Sequence, residues 1–492
     1  MPTSTSLDET VEHPPSPPSS RTGGNGLAIG ILVVTAFVVI LNETILSVAL
    51  THLMDDLKVD EPTVQWVSTA FLLTMAVVIP TTGYLVGRFS TRTLYFAAMG
   101  SFILGTILCA AAPGIELLLV GRVVQACGTA IMMPLLMTTI LQLVSTEHRG
   151  QVMGVVMIVI SVAPALGPTV SGVILQFLPW RAIFLIVLPI AVAMTAVAAV
   201  KLRNVSEPSH SKLDWLSIPL TVLGFGGVVY GLNSLGGGAS SPILWVSLAV
   251  GVVAMVLFVW RQLSLQRTGS PMLDLRIFSH QPFRVGLGLI MIGFASLIGV
   301  ATLWPIYLQK VHHINSILTG LLLLPGGLAM GLLGPWIGRL YDRHGAKVIA
   351  LPASIAMVII VFGMSRVTPT TPEWLLLVLH LTLSLSLAFM FTPVFTAALN
   401  SLPPALYSHG SAGLSALQQV AGGAGTALLV AIMAVARTSA EQSGADEVLG
   451  TMAGIQAALT AAAVIAVGAV VLAVLLKGGK PQPVEGGAPG HH

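Results

Sequence analysis

Stretches of about 20 apolar residues recur along almost the whole chain, and this pattern limits its possible folds more than any other feature. A bilayer core about 30 Å thick requires roughly 20 apolar residues in each helix that crosses it. Only 8% of the 492 residues are charged, whereas a soluble protein carries about 25%. The sequence therefore predicts an all-α integral membrane protein with about fourteen spans. The predicted spans begin near Leu27, Val64, Leu94, Leu117, Gln151, Ala182, Asp214, Pro242, Phe283, Ile317, Val348, Trp374, Gly410 and Met452.

The distribution of Lys and Arg residues predicts how these spans are oriented. If the N-terminus lies in the cytoplasm, most of the 22 Lys and Arg residues fall in cytoplasmic loops, as the positive-inside rule requires. An odd number of spans would place Lys477 and Lys480 on the opposite side of the membrane. We therefore expect an even number of spans, both termini in the cytoplasm, and a location in the plasma (inner) membrane.

Two loop segments are similar to one another at an offset of 255 residues: "PTTGYLVGRFSTR" (80–92) and "PWIGRLYDRHGAK" (335–347). Each segment closes the second span of a unit of six spans, so the chain contains two such units with two extra spans between them. Paired repeats around a central cavity are typical of secondary transporters. The matching pairs are Pro80 and Pro335, Gly83 and Gly338, Leu85 and Leu340, Arg88 and Arg343, and Arg92 and Lys347.

This repeat predicts a division of the chain into five parts. They are a disordered cytoplasmic tail (1–26), an N-terminal six-helix bundle (27–200), two extra helices with their linkers (201–282), a C-terminal six-helix bundle (283–476) and a second disordered cytoplasmic tail (477–492). The first tail is rich in Pro, Ser and Gly, a composition typical of disorder. It also lacks the basic, apolar and small-residue regions of a signal peptide.

Several motifs resemble those of the major facilitator superfamily. "GRLYDRHGAK" (338–347) is similar to its loop motif between the second and third spans, and "LLVGRVVQACGTA" (118–130) is similar to its fourth-span motif. "APALGPTVSG" (163–172) resembles the Gly-Pro motif of the antiporters in this superfamily. "NETILSVAL" (42–50), "TVQWVSTAFLL" (63–73) and "WRAIFLIVLP" (180–189) resemble the fourteen-span drug:proton antiporters, and in particular the lincomycin and multidrug resistance subgroup.

The resemblance implies a major facilitator fold that works by alternating access, with gating residues in the loop and fifth-span motifs. On the fifth span, Pro and Gly on consecutive turns indicate either a hinge or seal between the halves or ordinary close packing. The first loop copy departs from the family pattern, since Gly87 stands where relatives often have Asp and Ser90 where they have Gly. The expected gating residues are Gly83, Arg88, Arg92, Pro164, Gly167, Pro168, Gly172, Gly338, Asp342, Arg343 and Gly345.

Glu43 is the only acidic residue well inside a predicted span. A carboxylate at membrane depth costs a few kcal/mol, and such residues usually face a cavity or the interior of a bundle. Desolvation favours the neutral form of a carboxyl group, which suits a site that takes up and releases protons. Many relatives carry an acid at the preceding position, where this chain has Asn42. We predict that Glu43 couples transport to protons, the alternative being a fixed ion pair.

Two further residues inside predicted spans, one basic and one a histidine, are candidates for a part in proton coupling. Arg122 is the only basic one, and at about 1.5 Å per residue its depth matches that of Glu43. We therefore hypothesise that Arg122 tunes Glu43, the alternative being a purely structural arginine. His380 lies near the position in the second half that corresponds to Arg122, and it is either a second proton carrier or a passive, hydrogen-bonded residue. The predicted coupling residues are thus Glu43, Arg122, Asn42 and His380.

Polar, aromatic and Met side chains within spans are the candidates for substrate contacts, with ordinary packing as the alternative for each. Aromatic and Met side chains suit flat or irregular amphipathic ligands. The candidates are Gln65, Trp66, Phe71, Met133, Trp304, Phe391, Gln418 and Gln419.

The chain lacks a phosphate-binding loop, a metal-ligand cluster and a recognisable nucleophile–base pair, so we expect no ATP-driven transport, no metal, no cofactor and no enzyme activity. The leading hypothesis is a monomeric multidrug exporter that exchanges amphipathic, often cationic compounds for protons and has no nucleic-acid partner. A lipid or glycolipid exporter of the same fold is the first alternative. A membrane-embedded transferase and a passive facilitator or sensor are the others.

Overall fold

Lipid offers no hydrogen-bonding partner to the backbone, so a chain that crosses a membrane must satisfy its backbone hydrogen bonds internally. This chain does so by forming helices. The computed structural model describes residues 22–46, 49–59, 61–205, 214–235, 242–267 and 271–476. Within these residues, thirteen helices are long and apolar enough to cross a membrane. A shorter apolar helix, Ser217–Gly231, corresponds to the predicted seventh span. The prediction of an all-α protein with about fourteen spans is therefore confirmed.

The N-terminal bundle consists of six long helices with one short helix between the first two. Its helices are α1 (Thr22–Ile45), α2 (Leu50–Leu57), α3 (Glu61–Arg88), α4 (Thr91–Ala110), α5 (Ile115–Leu143), α6 (Arg149–Phe177) and α7 (Arg181–Lys201). Helix α1 begins at Thr22, inside the segment that composition assigned to the first tail. The rest of both predicted tails lies outside the described residues.

The extra segment and the C-terminal bundle follow. The extra segment contains α8 (Ser217–Thr221), a π-helical turn (Val222–Gly226), α9 (Gly227–Leu235) and α10 (Pro242–Gln266). The second bundle contains α11 (Gln281–Ile306), α12 (Ser316–His344), α13 (Ala346–Met364), α14 (Glu373–Asn400), α15 (Tyr407–Gln442) and α16 (Glu447–Leu475). Two six-helix bundles with two extra helices agree with the predicted architecture.

Side-chain caps fix where several of these helices begin. Ser90 accepts a hydrogen bond from the backbone N–H of Thr93 at the start of α4, Asn315 caps α12 through Leu318, and Asp446 caps α16 through Leu449. Such caps satisfy backbone N–H groups that have no partner within the helix. They lie between spans, where a polar side chain is not exposed to the hydrocarbon core.

The short helix α2 belongs to the end of the N-terminal bundle that we expect to face outwards, and the hydropathy pattern did not predict it. Asp56, near its end, accepts hydrogen bonds from the Trp180 indole at 2.7 Å and from Arg181 at 2.9 Å. These two hydrogen bonds hold the pKa of Asp56 below its usual value. The contacts tie α2 to the start of α7.

The two bundles meet along a seam between α6 and α12, where glycines allow the backbones to touch. A Cβ atom at Gly154 would overlap the carbonyl oxygen of Gly334, and one at Gly338 would overlap that of Gly150. Small residues at helix contacts permit this close approach in membrane proteins. Hydrophobic side chains could not occupy these four positions without separating the two bundles.

Candidate functional site

A cavity of about 880 Å³ lies between the two bundles. Its walls come from α1, α3, α5 and α6 of the first bundle, from the second bundle, and from α9. Most of the lining is apolar, with uncharged polar groups distributed through it. These polar residues are Thr44, Thr129, Ser161, Thr169, Gln309, Thr319, Ser384, Ser415, Gln418, Gln419 and Thr426.

Glu43 is the only acidic residue among the described residues that line the cavity, and no Lys or Arg lies among them. The ion pairs in the described part of the chain do not include Glu43. His380 also lines the cavity, on the side of the second bundle. A carboxyl group without a salt-bridge partner is therefore available to a proton or to a cationic ligand that enters this space.

Arg122 is almost completely buried in the N-terminal bundle, at 1% exposure, and its hydrogen bonds go to neutral groups. It donates to Gln125 Oε1 at 2.7 Å, to the Val67 carbonyl at 3.3 Å and to Asn42 Oδ1 at 3.5 Å. Its guanidinium carbon lies 3.9 Å from the centre of the Phe71 ring. Cation–π contact and hydrogen bonds thus hold the charge, and no carboxylate of the described residues lies within 4.0 Å of it.

Asn42 and Glu43 are neighbours on α1 but face different surroundings. Successive residues on a helix are rotated by about 100°, so one side chain points to Arg122 while the other points to the cavity. The matched depths of positions 42–43 and Arg122 agree with the hypothesis of a nearby pair, but the direct contact of Arg122 is with Asn42.

Three of the eight candidate substrate contacts line the cavity: Met133, Gln418 and Gln419. Gln65 lies on α3, but its side chain is outside the described part of the chain. The four aromatic candidates pack elsewhere.

The aromatic candidates have contacts that explain why they do not line the cavity. Phe71 lies under the Arg122 guanidinium, and Trp66 stacks on Tyr230 at 5.9 Å. Trp304 is buried and stacks on Tyr307 at 5.2 Å. Phe391 is buried behind Phe294, with 6.4 Å between ring centres, and Phe294 is the ring that lines the cavity. We therefore do not retain these four residues as substrate contacts.

The sequence did not identify most of the apolar lining. Met75, Met132 and Met330 line the cavity, as does Val229 of the extra helix α9. In a membrane protein, the same types of apolar residue face the cavity and the lipid. Hydropathy alone could therefore not have distinguished these lining residues. The repeated Met residues would have been the only available signal.

Asp342 joins the two bundles at the end where the basic residues are concentrated. Its carboxylate accepts hydrogen bonds from the backbone N–H groups of Gly150 at 3.0 Å and Gln151 at 3.1 Å. These N–H groups belong to the first turn of α6, where an acidic group also interacts favourably with the helix dipole. The second loop copy therefore connects the C-terminal bundle to the start of a helix in the N-terminal bundle.

Arg149 adds a second connection at this end. It donates to Asn400 Oδ1 at 2.8 Å and to the Tyr407 hydroxyl at 3.1 Å, both in the C-terminal bundle. A further hydrogen bond between the bundles joins α5 to α15, where Thr138 donates to Ser411 at 3.2 Å. The cavity is thus closed at the end that the charge distribution predicts to be cytoplasmic.

The first loop copy does not make the equivalent connection. Gly87 corresponds to Asp342 at the offset of 255 residues, and the nearest atom to a Cβ built there is Ser408 Oγ at 3.9 Å, in the first turn of α15. Gly83, one turn earlier, packs against His409 and Ala412 of α15. Glycine has no side chain that could accept hydrogen bonds, so among the described residues the carboxylate connection made by Asp342 has no counterpart at position 87.

The other predicted gating residues occupy varied positions. Arg92 donates to the Ala199 and Leu202 carbonyls and so ties α4 to α7 within one bundle. Pro164 lines the cavity, and a Cβ at Gly167 would overlap Thr44 of α1. The remainder are Arg88 at the end of α3, Pro168, whose side chain is not described, Gly172 with open space around it, the exposed Arg343, and Gly345 with a φ of 80°.

Replacing Asp342 by alanine should loosen the closed end of the cavity. Loss of a carboxylate cap costs about 1 kcal/mol, so access from this side should rise about fivefold. The measurement is the rate at which a membrane-impermeant maleimide labels Ser415→Cys, a cavity position, from the predicted cytoplasmic side. Asp446→Ala is the control, because Asp446 caps a helix within one bundle. Equal labelling rates in the two variants would show that Asp342 does not hold the seam closed.

The sequence is similar to known proteins along most of its length. The sequence profile of the Major Facilitator Superfamily matches residues 32–426. The uncharacterized MFS-type transporter YcnB of Bacillus subtilis is 41% identical over 460 residues, which covers 93% of this chain and 96% of that protein. The lincomycin resistance protein LmrB of Bacillus subtilis is 38% identical over 455 residues, with 91% and 94% of the two chains covered.

Solved structures have the same fold at much lower sequence identity. The human organic anion transporter MFSD10 superposes with a TM-score of 0.64 at 15% identity, covering 93% of this chain and all of the other. The proton:xylose symporter XylE superposes with a TM-score of 0.63 at 14% identity, covering 94% and 98% of the two chains. At this identity, the likeness concerns the fold alone.

Proposed function

Since this chain belongs to the Major Facilitator Superfamily, we propose that it is a secondary active exporter that exchanges amphipathic, often cationic compounds for protons. It is a multi-pass membrane transporter of the plasma membrane and not an enzyme.

The observation that carries the proposal is the position of Glu43. Its carboxyl group lines the cavity, and no cationic side chain in the described residues lies within 4.0 Å of it. A proton and a cationic substrate can therefore compete for the same group. Competition of this kind couples the two movements, because the site releases a proton when the substrate binds and takes one up when the substrate leaves.

The remaining lining suits the apolar part of an amphipathic substrate. Met75, Met133 and Met330 adapt to irregular shapes because their side chains are unbranched and flexible. Gln418 and Gln419 offer both hydrogen-bond donors and acceptors. Such a surface favours breadth of substrate over selectivity.

Alternating access would proceed by the opening and closing of the seam between the bundles. In the structure, the seam is closed at the end that contains Asp342 and Arg149. We propose that this end faces the cytoplasm, as the distribution of Lys and Arg predicts. Protonation of Glu43 would then accompany the opening of this seam, and substrate would enter from the cytoplasmic side.

The name of the related lincomycin resistance protein is consistent with drug export. The second candidate function is a lipid or glycolipid exporter, which the predominantly apolar lining would also accommodate. A single liposome assay separates this candidate from the drug exporter.

Reconstitution in liposomes tests the proposal. A pH gradient is imposed, and the movement of a lipophilic cationic dye is followed together with the internal pH. We expect dye movement and proton movement in opposite directions, both abolished by a protonophore and both absent from protein-free liposomes. Dye movement that does not depend on the pH gradient would contradict proton coupling. Flipping of a fluorescent lipid without dye movement would favour the lipid exporter instead.

A further inference from the structure

The first of the two extra helices, α9, packs where α3 of the first bundle meets α15 of the second, away from the seam between α6 and α12. Val229 and Phe225 are buried, with exposures of 6% and 3%. They belong to one hydrophobic cluster together with Met75 of α3 and Ala416 of α15. The extra segment is therefore packed against both bundles at once.

Val229 also lines the central cavity, the space that contains Glu43. The next residue, Tyr230, stacks on Trp66 of α3 with 5.9 Å between ring centres and an angle of 25°. One turn earlier, Gly226 lies against Val77 of the same helix. Helix α9 is thus fixed against α3 with Val229 directed at the cavity.

Helix α10 forms an outer layer behind α9. The two helices touch at Gly227 and Gly251, where an added Cβ would contact backbone atoms of the other helix. The large side chains of α10 point away from this contact: Trp245, Val246 and Val253 are 58–60% exposed. Exposed apolar side chains on a membrane helix face lipid, so α9 separates the cavity from the bilayer and α10 supports it.

The segment is also anchored at its ends. Asp214 forms a two-point ion pair with Arg261, at 2.9 and 3.1 Å. The backbone N–H groups of Met272 and Leu273 donate to Gln262 Oε1 at the end of α10. The next residue, Asp274, donates its backbone N–H to His409 of α15. These contacts anchor the extra segment at both ends and hold α9 in position against the two bundles.

We propose that α9 is a wall of the substrate cavity and that Val229 limits the width of the apolar, ring-bearing part of the substrate. This inference rests on the proposed function. A branched side chain of moderate size at position 229 leaves room beside Met75 and Gln419, two other lining residues, for a substrate of matching width. A larger side chain there reduces that room, and a smaller one enlarges it.

Transport of two cationic dyes of different width tests the inference. Val229→Trp should reduce export of the wider dye roughly tenfold relative to the narrower one, because steric exclusion from a pocket gives discrimination of this order. Val229→Ala should shift the ratio in the opposite direction. Val246→Trp is the matched control, since Val246 faces lipid on α10. A wild-type ratio in both Val229 variants would overturn the proposal.

Cysteine labelling tests whether α9 is a wall of the cavity even if Val229→Trp does not fold or the protein exports no dye. A water-soluble maleimide reacts with the thiolate form of cysteine, so it labels only thiols that water can reach. Val229→Cys should therefore be labelled at least about tenfold faster than Val246→Cys, with the wild-type chain, which contains Cys109 and Cys127, as background. Equal labelling of the two variants would show that α9 is not a cavity wall. Rapid labelling without dye export would retain the wall and refute the drug-export function.

Discussion

Glu43→Gln should abolish the effect of a pH gradient on export while leaving the protein folded. Glutamine has nearly the shape of a protonated glutamic acid but cannot release a proton. If one proton is exchanged for each substrate, wild-type liposomes accumulate substrate up to about tenfold for each pH unit imposed, since one pH unit corresponds to about 1.4 kcal/mol. In the variant, the substrate should only equilibrate, and the accumulation ratio should fall to one.

The matched control is Glu116→Gln, which makes the same chemical change on an exposed residue at the start of α5. It should retain the wild-type accumulation ratio at every gradient. Glu43→Asp should keep part of the coupling, because it preserves a carboxyl group in the cavity. A Glu43→Gln protein that still accumulated substrate in proportion to the gradient would exclude Glu43 as the coupling group and leave His380, which also lines the cavity, as the candidate to test.

The helical architecture was predictable because lipid imposes a simple rule. Each span must be apolar over its whole length and must satisfy its own backbone hydrogen bonds, so hydropathy marks the spans directly. The repeat was predictable for a related reason: its two loop copies carry charged residues in a chain with few charges, and these stand out. The same contrast identified Glu43 and Arg122 as unusual residues.

The directions of the side chains were not predictable in the same way. Matched depth predicted that Glu43 and Arg122 lie near one another, but it could not show that a rotation of about 100° on α1 turns Asn42 against Arg122 and Glu43 towards the cavity. The number of residues between a side chain and the end of its span gives its depth along the membrane normal. This number leaves the angle of the side chain around the helix axis open. That angle depends on how α1 packs against its neighbours.

Aromatic residues were a poor guide to the cavity for a similar reason. Trp304 and Phe391 combine large area with burial, and packing within the C-terminal bundle accounts for both. The position of α9 was equally hidden, because nothing in its composition distinguishes a helix in the seam from a helix at the periphery. Only the contacts of Val229 and Tyr230 establish where the extra segment lies.

Gly154→Ala should reduce transport more than fivefold by preventing the seam from closing. A single methyl group at this position would overlap the carbonyl carbon and oxygen of Gly334 on α12, and a backbone carbonyl cannot rotate away as a side chain can. Overpacking of this kind costs about 1–3 kcal/mol. If this contact is lost when the seam opens, the population of the closed conformation should fall by about 5- to 150-fold relative to the open one.

The same helix provides the control, since a Cβ at Gly172 would meet nothing within 4 Å. Gly172→Ala should therefore transport at the wild-type rate, which removes helix propensity as an explanation because both variants make the same change in the same helix. In Gly154→Ala, maleimide labelling of Ser415→Cys from the predicted cytoplasmic side should increase, as expected when the seam stays open. Loss of transport without increased labelling would mean that the methyl group disrupts the fold, and unchanged transport would mean that closure of the α6–α12 seam does not limit the cycle.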